Sequence, residues 1–536
     1  MHNHELFSPI SLALVLAITA SSCGNPVEGA RRDGRRVVLT VVLDALHSGH
    51  VHHLGYPRET TPHLDALAAE GVTFTRASAP APYTVASTVS LMTGLLPHRH
   101  GVMQRHGRGC RPMGTTLAEE LSRHGWQCFG ATSNANAGEQ TGIAQGFQQW
   151  LEAYEGTGTP GEPTMTTANG SSTHLVSADW WPGQLERVLD QADPQRDTFI
   201  YFHLLQPHSP YFPPDEIRAR FTDPEYVSSW SDTETPEGFA AGKTAPLVQA
   251  NEGLLEMTAA DRQHTIDLYD ASIFWADRAI GRMVEVLKER GLWDSTWMLV
   301  TSDHGEAFWQ HGRWGHNDHL YEEMLRVPLV ARAPAGLLPT GLRCDRLVSP
   351  LDILPTVLDW AHLPPVEGLD GLSLDATLAA EGPDARGLLF VSNSDQPFTG
   401  AVGPCTKIIL QTSEDGSVQT ELYHLPDDPG ERVNQAGAPP PAALPGAVAD
   451  RSAAVLGQEC TVERHEIGEG RMRALFRLQE ILARWIEADR VRYGSVQAAQ
   501  RPLDVLMPLD RPRSRTGQGA GALLNALGYT ENAVGN

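Results

Sequence analysis

Positive charge is scarce in this chain. Its 536 residues carry 41 Lys and Arg against 65 Asp and Glu, a formal charge of −24. That deficit argues against nucleic acid as a partner and against electrostatic docking on anionic lipid. An anionic substrate would need a local counter-charge, most economically a bound metal cation. Long apolar runs are scarce as well. The run from Ile10 to Ala20, within "ISLALVLAITASSCG", is too short to span a bilayer. Cysteine is sparse, six in all, with spacings that match no zinc pattern. Setting Cys23 aside leaves five, an odd number, so at least one is unpaired within the chain. No internal repeat is present.

The N-terminus reads as a processing segment. Ala20-Ser21-Ser22-Cys23 resembles a bacterial lipobox, whose cysteine is lipidated and becomes the first residue after cleavage. A polar spacer, "GNPVEGARRDGRR", follows as a tether would. We expect residues 1–23 to be a lipoprotein-type signal segment and 24–36 a tether. The protein is then exported to the bacterial cell envelope, with Cys23 as lipidation site and only membrane anchor. A plain secretory signal with an incidental cysteine is the alternative, leaving the protein secreted or periplasmic.

Beyond the tether, buried strands and helices alternate. "RVVLTVVLD" is a Val-rich run ending in Asp44, a buried parallel strand with a carboxylate at its C-terminal end. "TTPHLDALAAEG" follows as a helix, with Pro62 near its start and Gly71 as its stop. "TTLAEELSRHG" and "WQCFGATS" repeat the helix-strand order. "RDTFIYFHLLQ" is a strand, "AADRQHTIDLYDASIFWADRAIGRMVEVLKERG" a long helix, and "STWMLVTSD" a strand ending in Asp303. "RVPLVARAP" and "PLDILPTVLDWAHL" continue the alternation. This order predicts an α/β fold, a large mostly parallel sheet flanked by helices on both faces. Ligands in such sheets sit beyond the C-terminal strand ends, where Asp44 and Asp303 both lie.

Residues 37–386 form the expected catalytic domain. Short strands with turn signals then predict a small C-terminal antiparallel sheet over 387–436. A Pro/Ala-rich linker over 437–466 and a helical extension and tail over 467–536 complete the chain. Two low-hydrophobicity stretches, 156–173 and 223–253, read as surface insertions.

Chemistry concentrates in "TSDHGEAFWQHGRWGHNDHLYEE". A strand delivers Asp303 and His304 together, Gly305 lets the backbone turn, and His311, His316 and His319 follow. A carboxylate and an imidazole at one strand end can share a cation, and mixed N/O ligands suit Zn or Mn better than Ca. A hydrogen-bonded Asp-His pair without metal is the bland alternative. Upstream, Thr84 opens the helical stretch "TVASTVSLMTG". Free N–H groups and the helix dipole favour a developing anion there, and a metal touching its oxygen would lower its pKa. Thr84 as a plain helix cap is the alternative. Ser87 and Thr88 lie one turn further in and are expected to be structural.

These stretches, with "SLMTGLLPHRHGV", "LLQPHSPYFPP", "LYEEMLRVPLV" and "ELYHLPDDPGERVN", occur in an order that resembles the sulfatase family of the alkaline phosphatase superfamily over Val37 to Asn434. The resemblance implies an alkaline phosphatase-like sandwich and one divalent metal, Zn or Mn preferred with Ca the alternative. It implies metal ligands at Asp44, Thr84, Asp303 and His304. It puts the nucleophile nine residues before Thr93, at Thr84, and active-site histidines at His208 and His316. Asn134 and His319 are further candidates for substrate contact. A second metal is left open, with His203, His208, His316 and Asp270 as its candidates.

Four departures from the sulfate-cleaving pattern bear on the substrate. The nucleophile position holds Thr84 rather than the Cys or Ser that matures to formylglycine. Ala86 and Thr88 replace the usual Pro and Arg, Ala45 replaces a second Asp, and "GATSNANAG" replaces a Lys/His stretch. A formylglycine hydrate expels sulfate by collapsing to an aldehyde. A threonine cannot, so its ester must be cleaved by attack at sulfur or phosphorus. The expected activity is hydrolysis of phosphate or, second, sulfate esters of a small molecule, glycan or lipid through a covalent Thr84 intermediate. A phosphodiester or phosphonate ester is preferred. Phosphoryl transfer to an alcohol and an inactive sulfatase-like binding protein are the alternatives.

Overall fold

The computed structural model describes residues 35–102, 112–158, 164–166, 172–226, 246–380, 386–393, 398–403, 406–412 and 418–436. The Cys23 segment, nearly all of the tether, the Pro/Ala-rich linker and the C-terminal helix lie outside the described residues. So do most of the two insertions.

Eight strands make the main sheet: β1 (Val37–Leu43), β2 (Val72–Ser78), β3 (Gln127–Thr132), β4 (Gln149–Glu152), β5 (Thr198–Leu204), β6 (Thr296–Ser302), β7 (Arg326–Arg332) and β8 (Leu342–Val348). Their order across the sheet is β8-β2-β7-β6-β1-β5-β3-β4. All neighbouring pairs are parallel except those of β7, which runs against both β6 and β2. The sheet is thus mostly parallel, as its apolar strands imply.

Both faces are covered. On β1, Val37, Leu39, Val41 and Leu43 join one buried cluster, and Val38 and Val42 the other. This period of two is the strand's own geometry and feeds two helical layers from one segment. The first layer includes α1 (Pro62–Ala69) and the 31-residue helix Ala259–Glu289. The second includes α2 (Thr84–Thr93), whose ten residues are all buried, and the helix Ile353–Trp360. Pro62 stands at the first turn of α1, where a missing N–H costs nothing.

Four antiparallel strands, Leu389–Asn393, Phe398–Val402, Thr406–Thr412 and Val418–His424, form the small sheet. Leu389, Val391, Phe398, Ile409 and Tyr423 pack with Leu96, Leu320 and Leu351 of the main domain. Lys407 pins the junction. It is fully buried, with Nζ 3.0 Å from Glu322 and 2.9 Å from Glu431. Lys407→Met should lower unfolding free energy by about 3–5 kcal/mol, because two carboxylates lose their buried cation. Chemical denaturation checks this, and adding Glu431→Gln should recover part of the loss.

Candidate metal centre and active site

Three strand ends and one helix start converge. β1 ends at Asp44, β6 at Asp303 and His304, and β5 carries His203 one residue before its end. All four side chains are at most 1% exposed. Ala45 follows Asp44 with φ of +62°, a turn held by Ala45 N–H donating to Asp303 Oδ1 at 3.1 Å and Tyr269 Oη donating to Ala45 O at 2.6 Å.

Asp303 is divided by its surroundings. Its Oδ1 accepts from the backbone N–H groups of Ala45 and His304. Its Oδ2 is buried with no hydrogen-bond partner. Asp44 is divided likewise: Oδ2 accepts from the Asn134 amide, and buried Oδ1 has no hydrogen-bond partner. His304 Nδ1 donates to Gly305 O at 2.9 Å, which turns Nε2 toward the carboxylates. Nε2 lies 3.6 Å from Asp44 Oδ1 and 3.6 Å from Asp303 Oδ2. His203 Nε2 stands 3.3 Å from Asp44 Oδ2 and 3.7 Å from Asp303 Oδ2, and neither ring nitrogen makes a hydrogen bond.

Carboxylate oxygens and imidazole nitrogens therefore face one another in a buried site. Ligand atoms of Asp44, His203 and Asp303 lie within 4.8 Å of one another, a group able to hold a metal ion. Buried polar atoms left unpaired are costly, and a divalent cation would satisfy them together. The residues present fit such an ion. Burial works against ionising Asp44, but the rings of His208, His203 and His304 hold its carboxyl well below the usual carboxylate range.

Gly305 permits the turn after His304. A Cβ there would sit 2.2 Å from Glu323 O, and Gly305 N–H donates to Met324 O at 2.7 Å. The turn carries on to buried Glu306, which the sequence reading did not single out. Burial pushes the Glu306 carboxyl up to about 7, with the His208 and His304 rings opposing.

Thr84 is the first residue of α2 and 4% exposed. Its hydroxyl lies 3.2 Å from His304 Nε2. Tyr83 before it is extended, with φ of −159°, and no side chain caps the first turn. The approach to Thr84 is held from two sides: Asn317 N–H donates to Pro82 O at 3.2 Å, and Ser392 N–H of the small sheet donates to Pro80 O at 3.1 Å. The rival hydroxyls are engaged elsewhere. Ser87 Oγ donates to Ala81 O and Thr88 Oγ1 to Thr84 O, each at 2.8 Å.

His208 and His316 flank the centre. Their ring centroids are 4.9 Å apart, and His316 lies 4.4 Å from His304. Burial disfavours protonated His208, but Asp44, Glu306 and Asp303 outweigh it and raise its pKa. His208 Nδ1 faces Ser209 O, and His316 Nδ1 faces Glu306 Oε1 at 2.9 Å. Asn134 holds Asp44, and its own Oδ1 accepts from Asn136 N–H at 2.8 Å. His319 packs against Tyr321 and Phe398, toward the small sheet. Asp270 lies in a separate network, bound by His50 at 2.8 Å, Tyr56 at 2.7 Å and Arg58 at 2.8 Å.

The sulfatase family model matches residues 36–363. An arylsulfatase of Clostridium perfringens is 26% identical over 378 residues, covering 63% of this chain and 77% of its own. Among solved structures, the phosphonate monoester hydrolase of Agrobacterium radiobacter superposes with a TM-score of 0.58 at 22% identity, covering 75% of this chain and 92% of that one. A protein solved with its substrate D-glucosamine-2-N,6-O-disulfate gives 0.57 at 19%, covering 75% and 94%. With the family model spanning the main sheet from β1 to the helix Ile353–Trp360, and Asp44, Thr84, Asp303 and His304 gathered at its strand ends, the chain belongs to the sulfatase family of hydrolases in the alkaline phosphatase-like superfamily.

Proposed function

We propose that this protein hydrolyses phosphate or phosphonate esters, ahead of sulfate esters, through a covalent ester on Thr84. The observation that carries the reading is the Thr84 hydroxyl, 3.2 Å from His304 Nε2, at the buried start of a helix and beside two carboxylates with unpaired oxygens. Asp44, Asp303, His304 and Thr84 would hold one divalent cation, with His203 close enough to join them. Such a cation would supply charge neutralisation and a lowered pKa for the nucleophilic hydroxyl.

The chain's own residues supply the rest. The first backbone N–H groups of α2 point toward charge that develops beside Thr84. His208 and His316, packed ring to ring beside His304, would contact the leaving alcohol or the oxyanion. The burial of these side chains would strengthen each of these electrostatic contacts. Threonine has no aldehyde route for releasing its ester, so the second step needs water to attack the central atom, and this favours phosphorus chemistry. One structural neighbour is named as a phosphonate monoester hydrolase, in keeping with that choice. A glycan or lipid would supply the alcohol portion, and we place the enzyme at the cell envelope on the strength of the Cys23 segment.

A substrate panel tests the reading. Purified enzyme with added Zn, Mn or Ca is offered aryl sulfate, phosphate monoester, phosphodiester and phosphonate monoester. We expect kcat/KM highest for the phosphodiester or phosphonate, with Zn or Mn. Sulfate turned over best by a wide margin overturns the phosphoryl preference.

A further inference from the structure

Asn317 is an amide beside this centre to which the proposed chemistry assigns no role. It follows His316, whose ring lies against those of His304 and His208. Both of its main-chain groups serve as anchors. Its N–H donates to Pro82 O at 3.2 Å, two residues before Thr84. Its carbonyl accepts from Nδ2 of Asn393, the last residue of the small-sheet strand Leu389–Asn393. The backbone is left-handed there, with φ of +80°, which asparagine tolerates better than most residues. That conformation explains an asparagine in the turn but not the state of its side chain. Asn317 is 4% exposed, and its buried Oδ1 has no hydrogen-bond partner. Asn134, another amide at the site, is the contrast: Nδ2 donates to Asp44 and Oδ1 accepts from Asn136 N–H. The fold uses both ends of Asn134 and leaves Oδ1 of Asn317 unused. A buried amide oxygen without a donor is costly, and a bound ligand can relieve that cost.

We infer that Asn317 is a specificity-determining residue that takes a hydroxyl of the substrate's alcohol portion, so that a polyol or sugar ester is preferred over a plain alkyl ester. This rests on the ester-hydrolase reading and deepens it by naming the class of alcohol. Oδ1 needs a donor, and the oxygens of an ester anion only accept, so the donor must come from the alcohol. Pro82 and His316 tie Asn317 close to Thr84 and to a proposed leaving-group contact. The hydroxyl it takes would therefore lie near the scissile oxygen rather than at the far end of the alcohol. A plain alkyl group leaves Oδ1 unpaired in the complex. A polar site rejects an analogue that lacks its hydroxyl far better than an apolar pocket rejects one extra methylene.

Asn317→Gly tests this, since glycine keeps the left-handed turn and deletes the amide. Glyceryl and propyl esters, matched in carbon number, are compared in both phosphonate and sulfate series. The glyceryl-to-propyl ratio of kcat/KM should be about 10–100-fold higher in wild type than in Asn317→Gly. Comparing the two enzymes cancels the intrinsic difference between the leaving groups. Bound metal and melting temperature should stay near wild type. The same ratio in both enzymes, or loss of metal with the amide, overturns the inference. Turnover confined to sulfates removes the phosphoryl preference, and an unmodified Thr84 removes the covalent step. The ratio stays readable in either case.

A second measurement needs neither turnover nor a variant. Calorimetry on metal-loaded wild type compares 3,4-dihydroxybutylphosphonate with butylphosphonate. Both carry a P–C bond where the ester oxygen would be, so neither offers a scissile ester. We expect the dihydroxy compound to bind at least about 10-fold more tightly. Equal affinity contradicts the inference.

Discussion

Thr84→Ala is expected to fold, keep the Asp44, Asp303 and His304 ligands and lose turnover by on the order of 10⁴-fold or more, the scale set by removal of a covalent nucleophile. Alanine removes Oγ1 and Cγ2 but keeps Cβ and is a good helix former, so the start of α2 is retained. Thr84→Ser keeps a hydroxyl at the same place and should retain measurable activity. Ser87→Ala is the matched control. It removes a hydroxyl from the same helix, but one that donates to Ala81 O. It should cost about 1 kcal/mol of stability for the lost hydrogen bond and leave most of kcat intact. Steady-state kinetics beside thermal unfolding separates the two effects. A Ser87→Ala variant that loses activity as steeply as Thr84→Ala would move the nucleophile one turn along the helix.

The second large effect concerns the cation. Asp303→Asn and His304→Ala should each weaken metal binding by more than about 100-fold, beyond the loss expected for an outer-shell partner. Asp303→Asn still offers Oδ1 to the N–H groups of Ala45 and His304, so the turn is kept while Oδ2 loses its charge. His203→Ala is the informative addition. Its ring nitrogens are buried without hydrogen bonds, and it faces both carboxylates. We expect its loss to lower affinity as a ligand's does. Metal content by mass spectrometry after dialysis reads all three, and chelated wild type should regain activity with Zn or Mn more than with Ca. Full occupancy in Asp303→Asn and His304→Ala would mean that these are not the ligands.

The parts of this site that were legible in sequence share one property: each lies at the end of a strong local pattern. Asp44 and Asp303 terminate buried apolar strands, and Thr84 opens a helix. The strand, helix and glycine signals that place them act within a few residues. Glu306 was missed because its meaning comes from Tyr211 and His316, which reach it across separate loops. His203, in "FIYFHLLQ", was a candidate only for a second metal, because the strand pattern alone does not place it beside Asp44 and Asp303. The same limit applied to the fold. β8 was not expected, because Leu342–Val348 carries Arg343, Asp345 and Arg346 at exposed or half-buried positions and no apolar run. The reversed direction of β7 depends on chain path, which the apolar pattern of Arg326–Arg332 does not encode. Asp270 illustrates the converse. It was a candidate for a second metal without a diagnostic spacing, and in the structure His50, Tyr56 and Arg58 occupy both of its oxygens.

The covalent Thr84 ester is the centre of the account, and trapping it is the most direct measurement. Wild-type enzyme is mixed with a fast-leaving aryl phosphonate or phosphodiester, quenched in acid during turnover, digested and mapped by mass spectrometry. The account predicts that the peptide carrying Thr84 gains the mass of one phosphonyl or phosphoryl ester, located on Thr84 by fragmentation and absent from Thr84→Ala. Rapid turnover with Thr84 unmodified at every quench time, and with Thr84→Ala still active, would contradict it.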